Sequence, residues 1–300
     1  MAADVKISLI VPTYNVEDYL PHCLDSVLEQ TFKDIEIIIV DGNSTDRTVA
    51  IAQSYADKGV RTRILNQDPL KPGVMVAKKT GYMAASGNYI AFCDADDTLM
   101  PDALQTLYDK AFAEDADLVV GEIVYRLRKH EISCSCQSIK KNKTYIEAFL
   151  DKEAENRMTG KLYRRTLLQN ADIPAIPRMA LGEDWLFSYL LAGNINRWCR
   201  IKHIVYSYYQ HDGSITYSQY SHQSSNYAEL WFEAMWLIWS KYGGNPVYRE
   251  RVTEDLSLLC TQLLMRGFTL PVLTAAAGKY QMQWLMDPDK LRVSSKKTIQ

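Results

Sequence analysis

The chain has 300 residues and a formal net charge of −2 at pH 7, with 47% hydrophobic and 23% charged residues. This composition is typical of a globular enzyme with a sizeable core, and it lacks the basic excess expected of a protein that binds nucleic acid. The six cysteines show neither a disulfide-type spacing nor a CxxC pair, so we expect reduced thiols and a cytoplasmic protein. We expect no signal peptide before the first apolar run. We also expect no membrane-spanning helix, because polar residues and a proline interrupt the longest apolar stretch, residues 256–277.

The first hundred residues predict four strands separated by three helices. Short apolar runs indicate strands at residues 7–11, 35–40, 61–65 and 89–93. Asp18 is placed to cap the first helix, and Ser44 or Asp46 is placed to cap the second, which runs to about residue 57. A third helix spans residues 74–85. This order is typical of a parallel sheet with right-handed crossovers.

Three carboxylates follow the fourth strand directly. Asp94, Asp96 and Asp97 come immediately after the apolar run at residues 89–93. In open α/β sheets the ligand crevice lies beyond the carboxyl ends of the strands, and carboxylate oxygens suit Mg²⁺ or Mn²⁺, which in turn hold substrate phosphates. The sequence therefore predicts a metal site here. A cap on the helix that starts near Pro101 is the alternative for Asp94 or Asp97.

Polar side chains from three strand ends are predicted to meet. The order typical of doubly wound sheets places the first strand between the second and the fourth, which brings Tyr14, Asp41 and the acidic cluster together. Tyr14 can offer a flat face to a base, Asp41 can accept from a base or ribose, and the cluster can hold the metal of a diphosphate. The pocket fits a nucleoside diphosphate. No G-x-G-x-x-G motif follows the first strand, which disfavours a dinucleotide.

The middle of the chain continues the α/β pattern and then becomes basic. We predict a helix at 101–113, a strand at 116–125 and a helix within 138–151. The segment 126–143 between them is rich in lysine and arginine. It is either a solvated loop or a contact for anionic lipid or a phosphate-bearing acceptor, which would hold the protein at the inner face of the membrane.

From residue 221 the pattern changes to helices. One apolar face contains Tyr227, Leu230, Trp231, Ala234, Trp236 and Leu237, widened by Trp239, and residues 256–266 form a second face. Three roles fit these faces: packing on the rest of the chain, a homodimer interface, or peripheral contact with a membrane. The chain is therefore predicted to consist of a catalytic domain at 1–220 and a helical extension at 221–300.

Four motifs in order resemble the family-2 glycosyltransferases of the GT-A fold. They are Ile-Val-Pro-Thr-Tyr-Asn, Val-Asp-Gly-Asn-Ser-Thr-Asp-Arg-Thr, Ala-Ala-Ser-Gly-Asn-Tyr-Ile-Ala-Phe-Cys-Asp-Ala-Asp-Asp and Gly-Glu-Asp-Trp-Leu-Phe, within residues 5–215. The resemblance implies an α/β fold with a Rossmann-like, mostly parallel central sheet flanked by helices and followed by a helical C-terminal extension. Gly42 replaces a common second Asp. Lys78 and Lys79 replace a common Arg-Asn pair, which keeps the charge but loses a planar donor.

The resemblance also implies roles for individual residues at the donor site. Tyr14 would stack on the base, Asp41 would accept from its imino N–H, and Lys78 would lie near the base or diphosphate, although an exposed helix lysine is the alternative. The expected donor-binding residues are Pro12, Thr13, Tyr14, Asp41, Lys78, Asp94, Ala95 and Ser214, and the expected metal ligands are Asp96, Asp94 and His211. Asp97 would cap the helix at 101–113.

Glu183 and Asp184 open a predicted helix and are the candidate catalytic residues. Two acids in a first turn suit the helix dipole, which is the structural alternative. The resemblance implies instead that Asp184 removes the proton from the acceptor hydroxyl, while Glu183 orients the acceptor or is structural. With one base and no evident nucleophile, transfer inverts the anomeric carbon.

The expected protein is thus an inverting, metal-dependent glycosyltransferase. It would move a hexosyl or N-acetylhexosaminyl group from a UDP-sugar to a glycan, lipid-linked or polymer acceptor in cell-surface polysaccharide synthesis. A non-catalytic nucleotide-sugar or carbohydrate module of the same fold is one alternative. A sugar-nucleotide pyrophosphorylase is another, although a Gly-rich, Arg-containing loop is missing after the first strand.

Overall fold

The computed structural model describes residues 5–58, 61–127, 130–134, 143–179, 182–211, 225–287 and 291. The chain divides into two compact units, residues 1–211 and 212–300. The predicted boundary at residue 220 lies outside the described residues, and the two units are treated in turn.

The first unit alternates strands and helices along its N-terminal half. Its described strands are β1 (Ile7–Thr13), β2 (Ile35–Asp41), β3 (Thr62–Asn66), β4 (Tyr89–Phe92), β5 (Thr98–Leu99), β6 (Leu118–Leu127), β7 (His130–Cys134), β8 (Lys161–Arg164) and β9 (Trp198–Tyr209). Its described helices are α1 (Leu20–Leu28), α2 (Thr48–Ala56), α3 (Val74–Ala84), α4 (Ala103–Ala113), α5 (Tyr145–Leu150), α6 (Arg165–Asn170) and α7 (Glu183–Ala192). The predicted α/β class is confirmed, and the predicted bounds of the first four strands agree to within about two residues.

The strands form one mixed sheet in the order β3-β2-β1-β4-β8-β6-β9-β5, with β7 paired to β6. The half that contains β3, β2, β1 and β4 is parallel, as predicted. In the other half β8 is antiparallel to both of its neighbours, β4 and β6, while β6 and β9 are parallel. Because β1 lies between β2 and β4, the carboxyl ends of these three strands share one edge of the sheet.

The central strands are buried along their whole length. Every residue of β1, β2 and β4 is buried, whereas β3 at the sheet edge is half-exposed. Continuous burial is expected for parallel strands that are covered on both faces. Helix α3 approaches this sheet closely at Gly81, where an added Cβ would clash with Cγ2 of Ile10. A side chain at residue 81 would therefore displace the helix that carries Lys78.

The predicted cap at Asp18 is wrong, and of the two candidates at α2 only Asp46 contacts the start of the helix. Helix α1 begins at Leu20, and its N-cap residue Tyr19 makes no side-chain cap bond, so Asp18 does not cap it. At α2 the carboxylate of Asp46 accepts from the backbone N–H of Thr48 at 2.9 Å. Ser44 instead turns toward the end of β2, because the carboxylate of Asp41 is the stronger acceptor within its reach.

Asp97 does not cap α4, contrary to the prediction. Its carboxylate accepts from the hydroxyl of Tyr206 at 2.6 Å and from the backbone N–H of Tyr209 at 2.9 Å. Helix α4 begins with Asp102 as N-cap, without a side-chain cap bond. A buried carboxylate must be hydrogen-bonded, and β9, which is distant in sequence, supplies both donors.

The second unit is helical. It contains α8 (Ser225–Tyr242), α9 (Arg249–Met265), α10 (Leu270–Lys279) and a 3-10 turn at Gln283–Met286. Helix α8 contacts α9 and α10, and rings such as Trp239 and Trp284, 4.7 Å apart between centroids, pack within the unit.

The predicted apolar face of α8 is only partly exposed. Trp231 is buried, whereas 43% of the surface of Trp236 is exposed. Within the described residues, every helix is too short or too polar to cross a membrane. Dimerisation, membrane contact and cytoplasmic location stay predictions from the sequence.

A buried carboxylate joins β1, β2 and the segment before β4. Glu36 on β2 is 2% exposed. It accepts from the hydroxyl of Ser8 at 2.5 Å and from the backbone N–H and hydroxyl of Ser86 at 2.7 and 2.8 Å. Burial alone would raise the pKa of Glu36, but the hydrogen bonds donated to its carboxylate outweigh this and lower the pKa below the ordinary value of 4.5. Glu36 is therefore charged at neutral pH and stabilises the amino-terminal edge of the parallel strands.

Glu36→Gln should destabilise the protein by about 1.5–3 kcal/mol at pH 7, the usual worth of hydrogen bonds to a charged group. Because the pKa of Glu36 is lowered in the folded state, its stabilisation is complete above about pH 4.5 and is lost as the pH falls through the folded-state pKa. The difference between parent and variant should therefore narrow in acid. Urea unfolding at pH 7 and at pH 4 measures it, with the exposed Glu29→Gln as the control. A difference in unfolding free energy between parent and variant that stayed constant or widened in acid would contradict this assignment.

Candidate active site

The first loops beyond the sheet carry Tyr14 and Asp41. Thr13 and Asp41 are partners in register at the ends of β1 and β2. Asp41 is buried and accepts three hydrogen bonds, from the hydroxyl of Thr13 at 3.2 Å and from the backbone N–H and hydroxyl of Ser44 at 2.9 and 2.6 Å. Tyr14 is 63% exposed, so it is not a core aromatic. Its ring is accessible to a ligand.

These two loops are tied to each other. The backbone N–H of Asn15 donates to the hydroxyl of Ser44 at 2.9 Å, and that of Thr45 donates to the side-chain oxygen of Asn15 at 2.8 Å. Asn15 adopts φ 49°, a left-handed conformation that asparagine tolerates better than most residues. The loops therefore hold Tyr14 and Asp41 as one unit. Of the other expected donor residues, Pro12 and Ala95 are buried, and Ser214 lies outside the described residues.

Lys78 lies at the centre of the acidic site. It projects from α3, is 1% exposed, and its Nζ lies 3.1 Å from Oδ1 of Asp94 and 3.5 Å from Oδ1 of Asp184. The alternative of an exposed helix lysine is therefore wrong. Burial alone would lower the pKa of Lys78, but the negative charges of its two ion-pair partners, Asp184 and then Asp94, outweigh it and raise the pKa. Lys78 thus stays charged between two acidic motifs that are far apart in sequence.

Asp96 and His211 form a second polar pair. Nε2 of His211 lies 2.9 Å from Oδ2 of Asp96, and the imidazole stacks on the ring of Tyr19 with centroids 4.0 Å apart. Burial raises the pKa of Asp96, the charge of Asp94 adds to the rise, and the hydrogen bond from His211 opposes it. Tyr19 was not expected at the site, since its position before a helix gave no sign of where its ring would point.

The pKa values of two further carboxyl groups, Asp97 and Glu183, are also raised. Burial, with Asp96 and then Asp94, raises the pKa of Asp97. At the start of α7, burial and then the charge of Asp184 raise the pKa of Glu183 to about 8, while Lys78 opposes the rise. Gly182, the N-cap of α7, has φ 88°, where a side chain would be unfavourable. Glu183 therefore loses its proton at a higher pH than an ordinary glutamate does.

Arg157 is a residue that the sequence analysis missed. Its guanidinium lies 4.3 Å from the ring centroid of Tyr125 and 5.9 Å from that of Tyr208. Burial lowers the pKa of Arg157, and the charges of Asp184 and Asp97 oppose this. An arginine in a polar loop carries no motif, so only the fold could reveal that it lies beside the acidic site.

The residues present suit a divalent cation. Within the part of the chain that the structure describes, no group of three or more His, Cys, Asp or Glu side chains is arranged to hold a metal by itself. Asp94 and Asp96 nevertheless offer carboxylates and His211 an imidazole, and raised pKa values at Asp96 and Asp97 mark an excess of negative charge. Mg²⁺ in particular is often bound by one or two carboxylates together with substrate phosphates. This donor set fits such shared binding.

The sheet order, with acidic residues beyond β4 and at the start of α7, defines a GT-A glycosyltransferase fold. The structure is similar to S. aureus TarS 1-349 in complex with UDP-GlcNAc, with a TM-score of 0.76 at 20% identity over 98% of this chain and 91% of that one. It is also similar to the mannosyltransferase PcManGT from Pyrobaculum calidifontis in complex with GDP-Man and Mn2+, with a TM-score of 0.60 at 16% identity over 99% of this chain and 88% of that one.

The family is established from the sequence. The model of Glycosyl transferase family 2 matches residues 8–170, and the chain belongs to this family. The uncharacterized glycosyltransferase EpsJ of Bacillus subtilis (strain 168) is 28% identical over 79% of this chain and 70% of EpsJ. Glycosyltransferase GlyA of Streptococcus pneumoniae serotype 4 is 42% identical over 40% of this chain, but that match spans only 17% of GlyA.

Lys78→Met should destabilise the protein by about 3 kcal/mol, the lower end for a broken buried ion pair, because water partly screens the carboxylates left behind. The control is Lys110→Met, which removes a lysine from an exposed i,i+4 pair and should cost about 0.5 kcal/mol or less. Urea unfolding at pH 7 measures both. Equal stability of Lys78→Met and the parent would show that the lysine does not hold the two acidic motifs together.

Proposed function

We propose that the protein is an inverting, metal-dependent glycosyltransferase that moves a sugar from a UDP-sugar to a hydroxyl group. The observation that carries the proposal is the ion-pair bridge from Lys78 to Asp94 and Asp184. It joins a carboxylate suited to the donor diphosphate with one suited to activating the acceptor. Acceptors of the glycan, lipid-linked or polymer type in cell-surface polysaccharide synthesis fit this chemistry.

The donor is bound by the loops after β1 and β2. Tyr14 stacks on the base, since its ring is exposed at the end of β1. Asp41 already accepts three hydrogen bonds, and a carboxylate has about four lone-pair sites. One acceptor position is left for an N–H of the base. The likeness to TarS, which was crystallised with UDP-GlcNAc, and to PcManGT, which was crystallised with GDP-Man, supports a nucleotide-sugar donor.

Asp94, Asp96 and His211 are the residues that would hold a metal. A bound Mn²⁺ or Mg²⁺ would supply positive charge to the diphosphate as it leaves. The structure of PcManGT with Mn2+ supports this choice of ion. Contacts within the chain orient these carboxylates. His211 hydrogen-bonds Asp96. Lys78 forms an ion pair with Asp94, and the hydroxyl of Tyr206 accepts from the backbone N–H of Asp94 at 3.1 Å.

Asp184 is the proposed general base. The ion pair with Lys78 fixes the direction of its carboxylate, and a base must be held within hydrogen-bond reach of the hydroxyl it activates. The raised pKa of Glu183 favours its protonated form, which is suited to donating a hydrogen bond to the acceptor rather than to removing its proton. Attack by the activated hydroxyl on the face opposite the diphosphate inverts the anomeric carbon.

Asp96→Asn should weaken binding of UDP in the presence of Mn²⁺ by at least about 10–100-fold, because losing only a hydrogen-bond partner of a metal ligand typically costs that much. Binding in the presence of EDTA should change little. Titration calorimetry measures both, with Asp109→Asn as the exposed control. Equal affinity of parent and variant for UDP with Mn²⁺ would remove Asp96 from the proposed metal site.

Asp184→Asn should lower kcat by about 10²–10⁴-fold, because the amide keeps the shape but cannot take a proton. Glu183→Gln should cost much less, since glutamine imitates the protonated acid that the raised pKa of Glu183 favours, and its rate should diverge from the parent's as the pH rises and the parent's Glu183 loses its proton. Hydrolysis of a UDP-sugar with Mn²⁺ measures the rate, and calorimetry with UDP checks donor binding. A dead Glu183→Gln beside an active Asp184→Asn would reverse the two roles, and two active variants would place the base elsewhere.

A further inference from the structure

A small cavity lies beside the proposed base. It has a volume of about 230 Å³ and is lined by Phe149, Lys152, Ala154, Glu155, Asn156, Arg157 and Trp185. This is less than the roughly 300–1,000 Å³ typical of pockets for drug-sized ligands. The cavity therefore suits a group about the size of one monosaccharide.

The walls of the cavity are held in place by the fold. The hydroxyl of Ser188 on α7 donates to the carbonyl of Asn156 at 2.6 Å, and the ammonium of Lys161 donates to the carbonyl of Glu155 at 2.6 Å. These bonds fasten the loop between α5 and β8 to its neighbours. The cavity is thus built by packed elements and not by a loose loop.

The aromatic wall is fixed in the same way. The ring of Tyr189 packs edge-on against Trp185 and Phe149, with centroids 5.2 and 4.9 Å apart. A flat aromatic side chain held rigidly in a cavity can stack on the apolar face of a sugar ring at little cost in conformational entropy.

The first turn of α7 contributes side chains both to the acidic site and to the cavity. Asp184 meets Lys78, and the next residue, Trp185, lines the cavity. Successive helix residues point about 100° apart, so the two side chains face different directions from the start of α7. A group in the cavity would lie beside the helical turn that carries the base, without occupying the place of the diphosphate.

The charges in the cavity favour an anion. Lys152 and Arg157 supply two positive charges against one from Glu155. The guanidinium of Arg157 is oriented by the face of Tyr125, and among the residues that the structure describes it donates no hydrogen bond. A planar guanidinium offers paired N–H donors that match a carboxylate or a phosphate. Neutral hydroxyl groups would leave most of this capacity unused.

We propose that this cavity is an acceptor subsite for a sugar unit that carries a carboxylate or a phosphate. Trp185 stacks on the ring, and Arg157 binds the anionic group. Asp184 then lies beside the bound unit. The inference rests on the proposed glycosyltransferase function and names the class of its acceptor.

The test is an NMR titration of the full chain, saturated with UDP and Mn²⁺ so that the donor site is filled. Methyl β-glucuronide carries the carboxylate, glucose 6-phosphate carries the phosphate, and methyl β-glucoside is the neutral reference. At least one anionic probe should bind about tenfold more tightly than the neutral one, a difference of about 1.4 kcal/mol. Whichever anionic probe binds more tightly identifies the source of the charge.

The variants separate charge from stacking. Arg157→Met should abolish the preference for the anionic probes, Arg157→Lys should keep part of it, and Trp185→Ala should weaken all three probes. Arg197→Met, which removes an exposed arginine, should change nothing. Thermal unfolding of each variant checks that it is folded.

Three results would overturn the inference. They are equal binding of neutral and anionic probes, an undiminished anionic preference in Arg157→Met, and no binding of any probe to the parent. Hydrolysis of a UDP-sugar by the parent protein is measured beside the titration. Hydrolysis without probe binding refutes the acceptor subsite alone, whereas an absence of both UDP binding and hydrolysis refutes the proposed function itself.

Discussion

The buried ammonium of Lys78 is the interaction on which the site depends. A buried charge is tolerated only when it is paired, and Lys78 is paired with Asp94, beyond β4, and with Asp184, at the start of α7. Three elements from distant parts of the chain must therefore meet at one point. The close approach of α3 to β1 at Gly81 sets how deep the lysine lies. Packing and electrostatics thus impose the same arrangement.

Around this bridge the carboxylates differ in their surroundings and hence in what they can do. Asp97 lies beneath the site, where it is held by Tyr206 and the backbone of Tyr209. Asp96 is hydrogen-bonded by His211, and Glu183 has a pKa raised to about 8. A cluster of acids with raised pKa values is one that an added cation would stabilise. The part of the site around Asp94, Asp96 and Asp97 is therefore held by hydrogen bonds and would be stabilised by an added positive charge.

The two halves of the sheet serve different purposes. The parallel half, β3-β2-β1-β4, carries the loops of Tyr14 and Asp41 at adjoining strand ends. The mixed half and α7 form the surroundings of the cavity near Arg157. The family match covers residues 8–170 and ends before Asp184, so the proposed base lies outside the region on which the family assignment rests. Trp185 also lies outside that region, whereas Arg157 and the rest of the cavity lining lie inside it.

The sequence by itself determined the parallel half of the sheet, because apolar strands and amphipathic helices are local patterns that need no distant partner. It also marked Asp41, Asp94, Asp96 and the Glu183–Asp184 pair, since carboxylates after buried strands or at a helix start are visible in the order of residues. The tertiary structure alone decided that Lys78 is buried between two of them and that Asp97 serves Tyr206 and not α4. It alone brought Arg157 onto the face of Tyr125. These contacts join residues from 16 to 109 positions apart, and local patterns carry no information on pairs that only the packed fold brings together.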